Sequence, residues 1–341
     1  MLLLAIFLAC GTPSVELPEA TVEVLESERG PNMVAVNGAE VMMGAKRTAP
    51  VDGFVPPPIQ NHPGGTPAGA PIGTPAGPPI GTPAGPPIGA PDAGIHGDNR
   101  SNIDRNATIT PIDNPLPARL VRVSSFQIDR TEVTREQYSE FITATGYREP
   151  RVEEPWAEDG WNWDGAQYPE GTGDHPVVLV SWYDAREFCT WAEKRLPTEA
   201  EWQLAALGPA ESETVFPWGN EYDANALNHG TIEVPNFDDS DGYYTTSPVG
   251  AFPSGVSPYG ALDMFGNAWE WTADFRVREW DLVLGEREGQ LIVDPHTESI
   301  GFYAAVRGGS YFFDLRPNPA GERNAFLPEL RRKTSGFRCA K

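Results

Sequence analysis

The sequence predicts an α+β fold with little regular secondary structure, on the strength of three observations. Two stretches, residues 32–44 and 118–134, alternate apolar and polar side chains as β-strands do. Three short segments carry the capping patterns of α-helices. Beyond residue 209 no long periodic run occurs, only short strand-like pieces and turns rich in Gly, Asn, Asp and Trp.

The three helices are predicted from their first turns. In VTREQYSEFITATGY, Thr134 and Gln137 have the spacing of a capping box. Ser181 can cap SWYDAREFCTWAEK, and in PTEAEWQLAALG the hydroxyl of Thr198 can cap while Glu201 reaches back. Helical periodicity then turns one set of side chains toward the core. That set is Tyr138, Phe141, Ile142, Ala185, Phe188, Cys189, Ala192, Trp202, Ala205 and Ala206.

Composition limits the classes of function. The formal net charge is -23 and the pI is near 4.5, so no basic stripe is available to neutralise the phosphates of a nucleic acid. Acidic oxygens suit calcium, but surplus acid also keeps secreted proteins soluble, and composition leaves both readings open. The 40% apolar content supports at least one sizeable core.

The N-terminus, MLLLAIFLACGTP, has an apolar run that is too short to span a bilayer. It predicts a lipoprotein signal peptide at residues 1–10, ending at a lipobox with lipidation of Cys10, and a tether at residues 11–30. No Lys or Arg precedes the run, so an ordinary signal peptide or a misplaced start codon is the alternative. Gly11 rather than Asp after the cysteine favours the outer membrane, by analogy with lipoprotein sorting. We therefore expect a cell-envelope protein that faces the periplasm or the outside.

Residues 45–117 are predicted to be a disordered insertion rich in proline and glycine. Within residues 65–91 the octapeptides GTPAGAPI, GTPAGPPI and GTPAGPPI follow one another. Proline removes hydrogen-bond donors and glycine maximises the entropy lost on ordering, so this repeat cannot form a core. Strand-like segments lie on both sides, so the insertion is expected to interrupt one domain, after an opening strand at 31–44 and before a main body at 118–341.

Two cysteines, Cys189 and Cys339, remain once Cys10 is assigned to a lipid. In an oxidising compartment two cysteines suggest one disulfide, and two separately buried thiols are the alternative.

Five motifs in a fixed order carry a family resemblance. They are RLPTEAEW (195–202), FPWGN (216–220), MFGNAWEWTADF (264–275), RGGSYF (307–312) and GFRCA (336–340). Together they resemble the formylglycine-generating-enzyme family, also called sulfatase-modifying factors. The resemblance implies the formylglycine-generating-enzyme-like variant of the C-type lectin fold. It also implies a disulfide between Cys189 and Cys339.

The resemblance further implies two structural calcium sites. Asp263 and Glu270 stand seven residues apart with Gly266 between them, so a sharp turn can converge two carboxylates and backbone carbonyls on one hard cation. For each site a hydrogen-bonded turn without metal is the alternative. The first set is Asp263, Glu270 and the carbonyls of Gly266 and Ala268, and the second is Asn228, Asp241 and the carbonyls of His229 and Tyr243.

Copper is not expected. In family members that form formylglycine, two cysteines hold copper at positions three and eight residues beyond the serine of RGGS. Ser310 and Trp269 match the family pocket, but Phe313 and Asn318 occupy the two copper positions. Neither a phenyl ring nor a carboxamide replaces a thiolate as a Cu(I) ligand. The sequence therefore does not predict an active formylglycine-generating oxidase.

Other catalytic chemistries have little support. Ser310 lacks the G-x-S-x-G elbow of a serine hydrolase, and no H-E-x-x-H motif occurs. Relatives that make sulfoxides with iron carry a separate histidine-bearing helical domain, for which we expect no room outside the insertion. The five histidines are scattered singly, at His62, His96, His175, His229 and His296.

Two classes of function remain, and the first is noncatalytic binding or accessory maturation. In display scaffolds of this family, the segment between RGGS and GFR contacts a ligand. The matching candidates are Phe312, Phe313, Arg316, Arg323 and Phe326. Three tryptophans in residues 156–165 could extend this surface or pack on their own loop. The partner would be a protein, peptide or glycan, and membrane contact would occur through the lipid alone. The second class is a sulfatase-modifying oxidoreductase, of the formylglycine-generating type or using another metal.

Overall fold

The computed structural model describes residues 24–25, 30–43, 119–158, 160–212, 214–231, 239–276, 291–297, 303–312 and 323–341. All of these residues belong to one compact unit, which comprises residues 1–48 and 114–341. The strands are β1 Val24–Leu25, β2 Met33–Val36, β3 Ala39–Met43, β4 Arg119–Val123, β5 Phe126–Asp129, β6 Trp269–Arg276, β7 Ile292–Val293, β8 Tyr303–Arg307, β9 Arg323–Phe326 and β10 Ser335–Gly336. The α-helices are α1 Arg135–Thr145, α2 Trp182–Trp191 and α3 Glu199–Leu207.

Each predicted helix forms, and each begins with a complete capping box. The N-cap and N3 residues are Thr134 with Gln137, Ser181 with Asp184, and Thr198 with Glu201. Gly146 ends α1 in the left-handed conformation, at φ 68°. The side chains predicted to face the core are all buried. In the described part of the chain, no helix has the length and apolarity needed to cross a membrane.

The two alternating stretches each form two strands, where the pattern predicted one. β2 pairs antiparallel with β5, and β3 pairs antiparallel with β4. The break between β2 and β3 lies opposite the break between β4 and β5. There the backbone N–H of Gly38 donates to Ser125 Oγ at 2.9 Å. A Cβ atom on Gly38 would lie 2.7 Å from the carbonyl oxygen of Val123. Because only glycine permits this approach, the strand pair bends here and contributes to two different sheets.

The sheet that positions the candidate site has the strand order β10-β6-β8-β9. β6 pairs in parallel with β10 and antiparallel with β8. Trp271 on β6 is fully buried, and its Nε1 donates to the carbonyl of Val180 at 3.0 Å. One apolar cluster joins this sheet to α1 and α2, and a second joins α3 to β2, β3, β4 and β5.

The disulfide between Cys189 and Cys339 is confirmed. The two Cα atoms lie 5.7 Å apart, and the bond closes a sequence separation of 150 residues. Beside it, Asp129 accepts from the backbone N–H of Cys339 at 2.8 Å and pairs with Lys194 Nζ at 2.7 Å. Burial raises the pKa of Asp129 to about 6, against the opposing effect of Lys194. The C-terminus is therefore held by a covalent bond and a buried ion pair.

Candidate functional site

The turn after β8 joins two of the family motifs directly. Gly308 has φ 95°, and a Cβ atom at this position would lie 2.9 Å from the carbonyl oxygen of Met264. Its own carbonyl accepts from the N–H of Gly266 at 3.0 Å. Two residues beyond the second glycine, the N–H of Tyr311 donates to the carbonyl of Asn267 at 3.0 Å. Glycine is required where the two backbones approach so closely.

The two residues that match the family pocket, Ser310 and Trp269, form what we call the frame. Both are buried, with exposures of 0% and 2%. Ser310 Oγ accepts from the N–H of Phe312 at 3.4 Å. The ring of Phe326 packs edge-on to Trp269, with centroids 6.2 Å apart. The frame side chains are therefore enclosed by protein atoms.

Two of the five predicted ligand contacts are corrected by the structure. Phe326 is 8% exposed and lies between Trp269 and Trp271, so it is a core residue. Arg323 donates two hydrogen bonds of 2.6 Å to the buried carboxylate of Glu199. The physical reason is that β9 pairs with β8 within the core sheet, and this pairing commits both side chains to the fold. Phe312 is half-buried beside Tyr311. The remaining predicted positions, Phe313, Arg316, Asn318 and Cys10, lie outside the described residues.

The three tryptophans divide into one core residue and one half-buried pair. Trp163 is 2% exposed and packs edge-on to Tyr138 at 6.0 Å. Trp156 and Trp161 contact each other edge-on at 6.4 Å, and the Lys333 ammonium lies 5.3 Å from the centroid of Trp156. These contacts agree with the alternative in which the tryptophans pack locally.

In the first predicted calcium set, Glu270 is held by an arginine. Arg338 donates from Nε and Nη2 to the two carboxylate oxygens of Glu270, at 2.7 and 2.8 Å, and both side chains are fully buried. Trp202 Nε1 adds a hydrogen bond of 2.8 Å. The turn between Asp263 and Glu270 carries Gly266 and Ala268, and it is tight, with φ of 56° at Asp263 and 87° at Gly266.

Two further carboxylates interact with this ion pair. Asp263 accepts from the N–H of Gly250 at 2.6 Å, and burial raises its pKa to about 6. Burial also raises the pKa of Glu132 well above its usual value, and the negative charges of Asp263 and Glu270 add to the effect. Three carboxylates thus share one guanidinium, that of Arg338. A cation bound beside Asp263 would favour the ionised form of that carboxyl, while both oxygens of Glu270 already accept hydrogen bonds from Arg338 and Trp202.

The second predicted calcium set fits a cation more directly. Asn228 Oδ1 is buried and has no hydrogen-bond partner among the described residues, while its Nδ2 donates to the carbonyl of Thr245 at 2.8 Å. Asp241 accepts from the backbone N–H groups of His229 and Tyr243, both at 2.9 Å. The carboxylate therefore positions the two residues whose carbonyls were predicted as ligands. Amide and carboxylate oxygens are typical calcium ligands, and the amide oxygen of Asn228 is buried without a hydrogen-bond donor among the described residues.

Within the described ranges, no group of three or more His, Cys, Asp or Glu side chains is placed to hold a metal ion. Each predicted calcium set instead combines one or two carboxylates with backbone carbonyls, and the second adds the side chain of Asn228.

Arg135 is a buried, charged residue that the sequence patterns did not single out. Its side chain is buried at the start of α1, and Nη1 donates to Thr172 Oγ1 at 2.7 Å. Burial lowers its pKa to about 10, and Tyr311 opposes that effect. The pKa of His175 is lowered by burial and then by the charge of Arg135. The available signal was an arginine at the first helical position, where the helix dipole disfavours a cation.

Comparison with known proteins identifies the family. The model of the sulfatase-modifying factor enzyme 1-like domain matches residues 95–341. This chain belongs to the formylglycine-generating-enzyme family. The formylglycine-generating enzyme of Thermomonospora curvata is 34% identical over 272 residues, which cover 67% of this chain and 86% of the relative. The family also includes the inactive C-alpha-formylglycine-generating enzyme 2 of Bos taurus, 36% identical over 261 residues, with 67% and 81% covered.

Two other similarities bear on fold and chemistry. Hercynine oxygenase of Mycolicibacterium smegmatis is 36% identical over 255 residues, and the match covers 67% of this chain but only 56% of that enzyme. The structure of PvdO from Pseudomonas aeruginosa has a TM-score of 0.57 at 22% identity, covering 95% of this chain and 98% of the other. The fold is the formylglycine-generating-enzyme-like α+β variant of the C-type lectin fold, as the motifs implied.

Proposed function

We propose that this family member is a noncatalytic binding or maturation-accessory protein. The observation that carries the proposal is the pair Phe313 and Asn318, which stand where the family's copper-binding cysteines are needed. A frame that lacks both thiolates cannot bind Cu(I) in the same way. Oxygen activation by the family's copper route is therefore not expected.

The described residues and the relatives support this proposal. Ser310 and Trp269 of the frame are retained and buried, while the two metal-ligand positions carry other residues. Similar proteins include some named as formylglycine-generating enzymes and two named as inactive, so the family accommodates both outcomes. The proposal includes export as a lipoprotein anchored through Cys10 in the cell envelope, with a protein, peptide or glycan as partner.

Calcium is proposed as a structural cofactor. Asn228 and Asp241, with the carbonyls of His229 and Tyr243, would hold it, because Asn228 Oδ1 has no other partner among the described residues. A bound cation would neutralise Asp241 and fix the loop that it closes. The first predicted set, Asp263 and Glu270 with the carbonyls of Gly266 and Ala268, would form the other site.

The proposal is tested by incubating a cysteine-containing sulfatase peptide with the full chain, copper, reductant and oxygen, followed by mass spectrometry. We expect no aldehyde above the copper-only control, while the Thermomonospora curvata enzyme converts the same peptide. The matched variant Phe313→Cys, Asn318→Cys restores both thiolates and measures whether their loss accounts for inactivity. Conversion by the unmodified chain would overturn the proposal and favour the alternative, a sulfatase-modifying oxidoreductase.

A further inference from the structure

Arg135 is a buried cation that forms no ion pair with an acidic side chain of the described residues. Its side chain is 4% exposed, and its described hydrogen bonds go to two neutral acceptors, Thr172 Oγ1 at 2.7 Å and the carbonyl of Pro176 at 3.5 Å. Nη2 has no acceptor among the described residues. The nearby acids Glu136 and Asp174 are exposed, and neither forms an ion pair with the guanidinium.

The other two buried arginines of the described chain are compensated. Arg338 lies against the carboxylate of Glu270 at 2.7 Å, and Arg307 faces Glu199 at 4.0 Å. A buried charge without a counter-ion destabilises the folded state, since burial removes its hydration and nothing replaces it. Arg135 also opens α1, where the helix dipole places a partial positive charge. Fold stability therefore gives no reason for this arginine.

The surroundings of Arg135 indicate why an arginine occupies this buried position. The phenol of Tyr311 lies close enough to interact electrostatically with the guanidinium, and Tyr311 directly follows the frame residue Ser310. His175 lies on another side, with Nδ1 3.0 Å from Thr246 Oγ1, and its pKa responds to the charge of Arg135. Thr172 thus accepts from the guanidinium, the carbonyl of His175 accepts from the backbone N–H of Arg135 at 2.9 Å, and Tyr311 acts on the charge electrostatically.

We propose that Arg135 is the anion-binding residue of a ligand subsite beside Ser310, bounded by Thr172, His175 and Tyr311, and that its ligand presents one carboxylate. This inference rests on the proposed binding function, because it assigns the ligand chemistry of the same site. A guanidinium matches the planar carboxylate group with paired hydrogen bonds. A phosphate or another dianion would need a second cation.

Among the described neighbours of Arg135, the second cation could come only from His175. The pKa of His175 is lowered, so its imidazole stays neutral at pH 7. The single positive charge of Arg135 therefore favours a ligand group with a single negative charge.

The test uses thermal unfolding of the full chain in sodium acetate, against sodium chloride and sodium phosphate of the same ionic strength. Acetate should raise the Tm of the wild type saturably, because a ligand that binds only the folded state stabilises it. Arg135→Met should abolish that response, or weaken the apparent Kd at least about ten-fold. Arg186→Met is the matched control, since Arg186 is half-exposed and pairs with Glu187, and it should respond as the wild type does.

A second readout separates a ligand site from a structural arginine. In chloride alone, Arg135→Met should melt at the same temperature as the wild type or higher, because methionine removes an uncompensated buried charge. Three results would overturn the inference: a lower Tm for this variant with an unchanged acetate response, no saturable acetate effect on the wild type, or a stronger response to phosphate than to acetate. Aldehyde formation in the peptide assay would instead overturn the proposed function, and it leaves the acetate result intact.

Discussion

Arg338 and Glu270 form a fully buried ion pair, with two nitrogen–oxygen contacts of 2.7 and 2.8 Å. Arg338 also donates to the backbone carbonyls of Asp129 at 3.1 Å and Leu262 at 2.8 Å. One guanidinium thus joins the C-terminal motif, β6 and the end of β5. Glu270 carries its third hydrogen bond from Trp202 of α3, so the pair also ties the helix to the sheet.

The first prediction concerns this pair. Arg338→Met should lower the free energy of unfolding by about 3–5 kcal/mol, because it leaves buried carboxylates without their guanidinium. Urea unfolding measures the loss. The double variant Arg338→Met, Glu270→Gln should lose less than the single variant, since it removes one of the uncompensated charges. A double variant that is clearly less stable than the single one would contradict this account.

Sequence patterns predicted the parts of the fold that depend on close neighbours in the chain. The boxes of Thr134 with Gln137 and Thr198 with Glu201 need only residues three apart, and both form. The partner of Glu270 lies 68 residues away, and only the folded backbone brings Arg338 to it. For the same reason, Arg323 was predicted as a surface contact and is instead committed to Glu199.

The second prediction concerns the disulfide. Replacing both cysteines, as Cys189→Ala with Cys339→Ala, should lower the free energy of unfolding by about 5 kcal/mol in the chain-entropy estimate. The figure is large because the two cysteines are separated by 150 residues. A bond that closes so long a loop removes much conformational entropy from the unfolded chain. Chemical denaturation measures the loss, and peptide mapping without reductant should recover a fragment that links the two cysteines. Recovery of both as alkylatable thiols would show the bond to be absent.

The third prediction concerns calcium. A chelator should lower the Tm of the wild type, because a cation bound only by the folded state stabilises it by mass action. Asp241→Asn should melt near the chelated wild type and respond little to calcium. Asp239→Asn is the matched control, since Asp239 is exposed two residues earlier, and it should keep the calcium response. Equal melting curves with calcium and with chelator would remove the cofactor from the proposal.

The fourth prediction concerns pH. Burial and the charge of Arg135 lower the pKa of His175 below its ordinary 6.5, so the fold favours the neutral imidazole. The stability from this preference is present above pH 6.5 and is lost as pH falls through the lower pKa of the folded state. The Tm of the wild type should therefore fall more on acidification from neutral pH than that of His175→Gln.

A direct titration checks the cause of that pH dependence. The imidazole resonances of His175 should titrate at a higher pH in Arg135→Met than in the wild type, because the nearby positive charge is gone. Arg186→Met should leave the titration unchanged. An identical titration in all three proteins would mean that burial alone sets the pKa of His175.

The fifth prediction concerns the proline-rich insertion. Met43 and Arg119 are register partners at the ends of β3 and β4, so the sheet closes the base of residues 44–118. Deleting residues 65–90 shortens that loop by about a third, and closure entropy changes only logarithmically with loop length, so stability should rise by about 0.4 kcal/mol. The composition of the repeat, with one Ile in eight residues, gives no reason to expect a larger change. Urea unfolding of the deletion variant measures the difference. A loss of more than about 1 kcal/mol would show that the repeat packs against the folded domain, because loop entropy alone cannot produce that sign.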